Sequence, residues 1–475
     1  MKSRRATLRD ANAKDTMTME KSESKVGANL ARRAIGALLV ALCASISVGA
    51  LLVALRRAHE RQTPSNERVV FRVRSRSMEP TKLGPQFRWT CPECAAAFPT
   101  SIDVASAELD AKDSPEVAKF LANARYATCP ACGYDLVPAS SAQFRDGELV
   151  EFEPRNADAA IQRWELGLFR DAEGRLTLKR IVGTPGERVA IRGGDVYVDG
   201  RRAPRDFATV LRAAATIEPI QIARDGNRAA ISKVERIRDE RGDVAERKTP
   251  ITNESAIPSW NGVNVAPVEF VRDFILTFVQ PADEPVGVAA RRGNDALFFE
   301  YDPADGRVAA KRLELDGNFD ALALEDFATA ETLMSRATTP SREGQGEGQG
   351  EGQGEARVAC FLVDGTFALF VDGALVAQIP TRDRFDAPRG GIATPFVVFG
   401  AEAHDFALLR DAHYSAVAGG ETLVPENRFF VLGDNSPASR DSRFADVGSV
   451  VVLDSLRLID ASTRDAEADG VDATK

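Results

Sequence analysis

Histidine is almost missing from this chain, with three residues in 475. His59, His404 and His413 stand apart from the motifs described below, which argues against a Ser-His-Asp triad. Cysteine is scarce too: six residues are too few for a disulfide scaffold of this length. A basic surplus is also lacking. Lys and Arg total 61 against 70 Asp and Glu, a net charge of −9 that argues against a general nucleic-acid binder. There is no collagen-like repeat, and 44% hydrophobic with 28% charged residues excludes a wholly disordered chain. At roughly 150 residues per domain, the length suggests about three domains.

One long apolar run is present. Ala34 to Leu55 holds 22 residues without a charge, flanked by Arg32-Arg33 and Arg56-Arg57. At 1.5 Å per residue a helix of that length spans roughly 33 Å, enough for the hydrocarbon core of a bilayer. A buried core helix would show a polar face. A cleaved leader would have a shorter apolar region and a small-x-small site after it. An uncleaved signal-anchor is the expectation, placing the chain in the cell membrane as a single-pass protein. Flanking charge does not fix its orientation, because basic residues lie on both sides.

The remainder reads as mainly β. Arg68–Arg74 alternates as a strand does, as do 147–154, 163–169 and 176–182. Val189–Arg192 and Asp195–Val198 suggest a hairpin. Residues 203–265 are polar and Arg-rich, without a clear pattern. From Val268 onward, strand runs such as FILTFV, ALFFEYD, TFALFVDG and PFVVFG suggest an antiparallel, jelly-roll-like sandwich. Glu343 to Glu355 is a low-complexity Gly/Gln/Glu loop.

Three short segments carry the chemistry: Ser75-Arg76-Ser77-Met78-Glu79-Pro80, the strand Leu178-Lys179-Arg180-Ile181-Val182-Gly183 leading to Pro185-Gly186, and Phe430 to Arg443 containing Gly433-Asp434-Asn435. Each alone is ordinary turn or strand material. Together, in this order and behind an apolar anchor, they resemble the type I signal peptidase family. Those enzymes are membrane-anchored Ser/Lys endopeptidases that remove signal sequences from exported preproteins. The resemblance covers about a third of the chain.

The residues make chemical sense by themselves. A serine nucleophile needs a base, and without a suitable histidine a lysine can serve. Its ordinary pKa of about 10.4 must fall by two to three units to act near neutral pH, and the apolar strand LTLKRIV favours that fall. The resemblance implies Ser77 as nucleophile and Lys179 as general base, with Ser439 orienting the lysine. It implies Ser75 as partner of the Ser77 N–H in an oxyanion hole. Gly433, Asp434, Asn435, Asp441 and Arg443 match supporting positions. Thr184 and Ser436-Pro437-Ala438 depart from the family pattern without touching the dyad positions. The family also implies cleavage after small side chains, with the catalytic domain on the exoplasmic side.

A second signal lies between the serine and lysine motifs. Cys91-Pro-Glu-Cys94 and Cys129-Pro-Ala-Cys132-Gly133 are paired knuckles able to hold one structural zinc, with two disulfides as the alternative. The segment SPEVAKFLANARYA between them suits a helix. No cofactor is expected for catalysis.

The expected organisation begins with a polar tail (1–33) and an anchor (34–55). Catalytic segments follow at 66–90, 141–200 and 421–459. A zinc-ribbon-like insert occupies 91–140, an irregular insert 201–265 and a β-sandwich-like insert 266–420, ahead of an acidic tail (460–475). The sandwich holds no dyad residue and is expected to sit beside the catalytic domain. The expected partners are signal-peptide-bearing preproteins and a lipid bilayer, not nucleic acid. Two rival readings are a self-cleaving repressor-type Ser/Lys peptidase and a degenerate membrane-anchored binding protein. Intact Ser77, Lys179 and Ser439 weigh against the latter.

Overall fold

The computed structural model describes residues 68–104, 111–154, 161–170, 175–254, 257, 259–260, 263–315, 318–337, 354–382, 391–416, 420–444 and 456–458. The expected tails, the apolar run 34–55 and most of the 343–355 loop lie outside the described residues. Among the described residues, no helix is long and apolar enough to cross a membrane. They contain two α-helices, Pro115–Asn123 and Phe207–Ala213, and otherwise strands and short 3-10 turns.

Three small antiparallel sheets flank the motif segments, and one of them includes Leu178–Gly183 and Phe430–Leu432. One joins Val69–Arg72, Leu149–Pro154 and Leu456–Leu458. A second joins Leu166–Arg170, Leu176–Gly183 and Phe430–Leu432. The third contains the expected hairpin, Arg188–Arg192 with Asp195–Val198, flanked by Arg201–Arg202 and Thr422–Leu423. The last stretch of chain therefore returns to pair with strands laid down far earlier, as Val431 opposite Ile181 shows. Val73, Met78, Val150, Phe152, Leu166, Leu168 and Leu178 fill the space between the first two sheets. Each such side chain contributes about 1.5–3 kcal/mol on burial.

The long insert forms two antiparallel sheets of six and eight strands sharing one apolar core. Alternation explains the packing. In Phe274–Pro281, Phe274, Leu276 and Phe278 face the shared core, whereas Ile275 packs with Val210 and Phe361 on the opposite face. The other sheet repeats this: Phe396 and Val398 point into the shared core, while Val397 and Phe399 meet Phe319 and Phe327 outside it.

The 201–265 stretch is not irregular. Asp206 caps Phe207–Ala213, its Oδ1 accepting from Thr209 N at 2.6 Å. Ile220–Asp225, Arg228–Arg238 and Val244–Lys248 belong to the larger sheet. The sequence hides them because they form its margin: Val244–Lys248 is exposed throughout, and only Ala229 and Ile231 of Arg228–Arg238 enter the shared core. The cysteine segment also extends past 91–140, since its three-stranded sheet takes in Gln86–Thr90, Ala97–Ser101 and Gln143–Arg145. Its helix matches the predicted segment, with Ser114 as N-cap and Val117 and Phe120 buried.

A buried ionic network joins the insert to the third small sheet. Arg205 is bidentate to both Asp364 and Asp411, Arg202 pairs with Asp195, and Arg292 pairs with Asp273. Four carboxylates face three guanidiniums. Burial accordingly pushes Asp195 up to about 8 and Asp411 up to about 7.

Candidate active site

The strand Val69–Arg72 leads into a 3-10 turn, Arg76–Met78, with Ser75 as its N-cap. Met78 anchors the turn by burying fully against Val73 and Leu178. Ser75 Oγ donates to Ser77 Oγ at 3.2 Å and accepts a long bond from Ser77 N at 3.5 Å. The two groups expected to bind an oxyanion are thus neighbours. A substrate oxygen would have to displace that weak bond to use the N–H.

Lys179 and Arg180 follow one another in Leu176–Gly183 and are both buried. Successive strand residues face opposite ways, so they serve different partners. Lys179 Nζ donates to Ser439 Oγ at 2.8 Å. Arg180 forms a fork on Asp434, Nε to Oδ1 at 2.8 Å and Nη2 to Oδ2 at 2.6 Å. Burial pushes the Lys179 ammonium down to about 8, and the nearby carboxylate of Asp441 only partly opposes this. For Arg180, Asp434 more than offsets burial and holds the guanidinium above its ordinary value.

Gly433 is where these pieces meet. A Cβ there would lie 2.2 Å from Ser439 Oγ and 2.5 Å from Ser77 O, so only glycine admits both. Asn435 fastens the Arg76–Met78 turn from the same side: its N donates to Ser77 O at 3.1 Å and its Nδ2 to Arg76 O at 3.0 Å. Asp441 Oδ2 accepts from Gly433 N at 3.0 Å and pairs with Arg443. Arg443 in turn donates to Ser436 O, Ser439 O and Ser415 O, fixing the 436–439 loop. Ser77, Lys179 and Ser439 therefore come together from three remote stretches. The hydrogen bonds of Ser77 Oγ and Lys179 Nζ run to Ser75 and Ser439; a direct bond between them is not among those of the described residues.

Sequence reasoning missed Arg180, Thr81, Tyr414 and Ser436. Thr81 Oγ1 and Tyr414 OH donate to Asp434 at 2.5 and 3.3 Å. Ser436 Oγ accepts from Ser415 N and Arg443, giving the departure at 436 a structural use. A charged residue beside Lys179 in an apolar strand was the one available signal, for Arg180. The described histidines lie elsewhere, His413 bonding Glu269 and His404 bonding Glu402 O.

The four clustered cysteines also converge. Their Sγ atoms all lie within 4.8 Å of one another, with Cys91–Cys132 and Cys94–Cys129 at 3.7 Å. Thiolates about 2.3 Å from one tetrahedral zinc would be separated by about 3.8 Å, whereas a disulfide needs about 2.05 Å. Ala95 and Gly133 take positive φ after the second cysteine of each knuckle, turning the chain back identically. The donor set and spacing fit zinc.

Residues 69–259 match the family described as signal peptidase, peptidase S26. That match supports the signal peptidase family and, with it, a serine peptidase. The matched span contains Ser77 and Lys179; the Gly433–Arg443 segment follows only after the two-sheet insert. No curated protein matches the chain. Among solved structures, galectin LEC-6 of Caenorhabditis elegans is 18% identical, covering 32% of this chain and 91% of its own, with a TM-score of 0.19. The carbohydrate binding module CBM66 from Bacillus subtilis is 9% identical, covering 42% and 92%, at 0.18. Overlaps this slight carry no argument about a ligand.

Proposed function

We propose that the protein is a membrane-anchored signal peptidase, a serine endopeptidase working through a Ser77/Lys179 dyad. The observation that carries this reading is the buried Lys179, lowered to about 8 and bonded to Ser439 beside the nucleophile turn. Neutral Lys179 takes the proton of Ser77 as Oγ attacks the scissile carbonyl. The closing Lys179–Ser77 bond tightens when substrate binds, as catalytic bonds commonly do. Ser77 N–H and Ser75 Oγ stabilise the developing oxyanion. Protonated Lys179 then gives its proton to the leaving amine. Water resolves the acyl-enzyme with Lys179 again as base. Ser439 and the Arg443–Asp441 pair keep the lysine in place throughout.

Two strand edges suit an extended substrate. Among the described residues, Val69–Arg72 is paired only with Leu149–Pro154, and Leu176–Lys179 only with Leu166–Arg170. Main-chain pairing along such edges would present a small side chain near Ser77. The substrates are signal-peptide-bearing preproteins, and the run 34–55 anchors the enzyme with its catalytic domain on the exoplasmic face. Cys91, Cys94, Cys129 and Cys132 would hold one zinc, which stabilises the module around them and takes no part in hydrolysis. The two-sheet insert is a β-sandwich-like module. Preprotein cleavage by wild type, beside Ser77→Ala and Lys179→Ala, tests the reading: either substitution should abolish processing.

A further inference from the structure

We infer that the insert supplies a wall of the active site, and that its Asn264 is a positioning residue for Ser77, acting through Arg76. This rests on the peptidase reading above. Residues Val263–Pro267 contain no motif, yet they touch both loops that build the site.

The first contact is with the nucleophile turn. Asn264 Oδ1 accepts from Arg76 Nη2 at 3.1 Å, and Asn264 Nδ2 donates to Glu254 Oε1 at 3.0 Å, fixing its amide. Arg76 is buried directly beside Ser77. Its N donates to Asp103 Oδ1 at 3.0 Å, its Nε lies 3.4 Å from Asp103 Oδ2, and its carbonyl accepts from Asn435. The residue before the nucleophile is thus held at its amide, its carbonyl and both sides of its guanidinium. Asn264 is the one of these holds that comes from the insert. Without it, the Arg76 guanidinium keeps only its Asp103 side, and the freedom it gains is passed to Ser77, the next residue in the turn.

The second contact is with the loop ending at Ser439. Val265 N and Ala266 N both donate to Pro437 O, at 2.7 and 3.1 Å. Pro267 O accepts from Ser415 Oγ at 2.5 Å, and Ser415 N donates to Ser436 Oγ at 2.8 Å. Trp260 N also donates to Ser101 O at 3.0 Å. Apolar packing secures little of the path: Ala266 is buried, but Val263 is 76% exposed and Val265 39%. Polar bonds to the site hold the segment there.

The test uses the full chain in detergent with a preprotein substrate, comparing Asn264→Leu, Asn264→Asp/Glu254→Gln, Arg76→Met and the Asn264→Leu/Arg76→Met double variant. Loss of one hydrogen bond to a charged group should cut kcat roughly tenfold in Asn264→Leu, with KM within about twofold. Asn264→Asp keeps the acceptor but sets a carboxylate against Glu254, so it is paired with Glu254→Gln, and that double variant should stay within about twofold of wild type. In the Arg76→Met background, Asn264→Leu should have no further effect. The pH midpoint of the rate should not move, since Lys179 is untouched. Thermal melting reports folding, and Asn264→Ala is judged by the same criteria if the leucine variant does not fold. Full kcat in Asn264→Leu, equal losses in Asn264→Leu and the Asn264→Asp/Glu254→Gln double variant, or an undiminished effect without Arg76 would overturn the inference. If Ser77→Ala is inactive while Asn264→Leu runs at full rate, only the inference falls. A wild type no faster than Ser77→Ala removes the peptidase reading and the inference with it.

Discussion

Replacing Lys179 by methionine should abolish cleavage and yet make the protein more stable near neutral pH. Methionine matches the length of the lysine stem and carries no charge. Lys179 falls from 10.5 to about 8 because burial penalises its ammonium. The folded state therefore binds this proton less tightly than the unfolded chain does. The penalty is complete below the folded value and fades as pH rises from about 8 towards 10.5. At about 1.4 kcal/mol per pH decade, its full size is on the order of 3 kcal/mol. By pH 9.5, folded Lys179 is mostly neutral while the unfolded side chain is still mostly charged, leaving on the order of 1 kcal/mol. Losing the donor to buried Ser439 costs about 1–2 kcal/mol at every pH, so the change between pH values is the cleaner quantity. Urea unfolding of wild type and Lys179→Met at pH 6 and pH 9.5 measures it. The advantage of methionine should shrink by about 2 kcal/mol between the two. An advantage independent of pH would show that Lys179 keeps its ordinary affinity for the proton and is not poised as a base.

With Lys179 as the base, kcat/KM should rise with pH through a midpoint near 8, and a midpoint above 10 would mean that the ammonium is not desolvated during catalysis. Protein purified without chelator should contain about one zinc, and Cys129→Ser should lower both metal content and melting temperature; stoichiometric disulfides would reject the zinc assignment. Arg205→Gln strands Asp364 and Asp411 in the buried network between the insert and the third small sheet. It should cost about 3–5 kcal/mol in denaturant unfolding, while an unchanged midpoint would show that the network contributes nothing to holding the insert.

What the sequence made readable was local. Ser77, Lys179 and the Gly433-Asp434-Asn435 turn stand in short patterns whose residue types follow from the chemistry, and the lysine advertises its burial through apolar neighbours. Four cysteines in two knuckles are equally local. Pairings between remote segments were not readable: Arg180 and Asp434 are 254 positions apart, and nothing beside either names the other. The strands within 201–265 escaped because a sheet margin turns its arginines and glutamates to solvent and keeps little alternation. Asn264 looks like any loop asparagine until the fold brings it to Arg76.

The central claim is tested most directly by incubating a preprotein with the full chain in detergent and sequencing the new N-terminus of the product. Wild type should release one mature chain, cut after a small residue at the end of the signal sequence. Ser77→Ala and Lys179→Arg should release none, because the first lacks the nucleophile and the second replaces the base with a permanently protonated guanidinium. Cleavage by Lys179→Arg at the wild-type rate, or by Ser77→Ala at the same bond, would contradict the Ser77/Lys179 dyad.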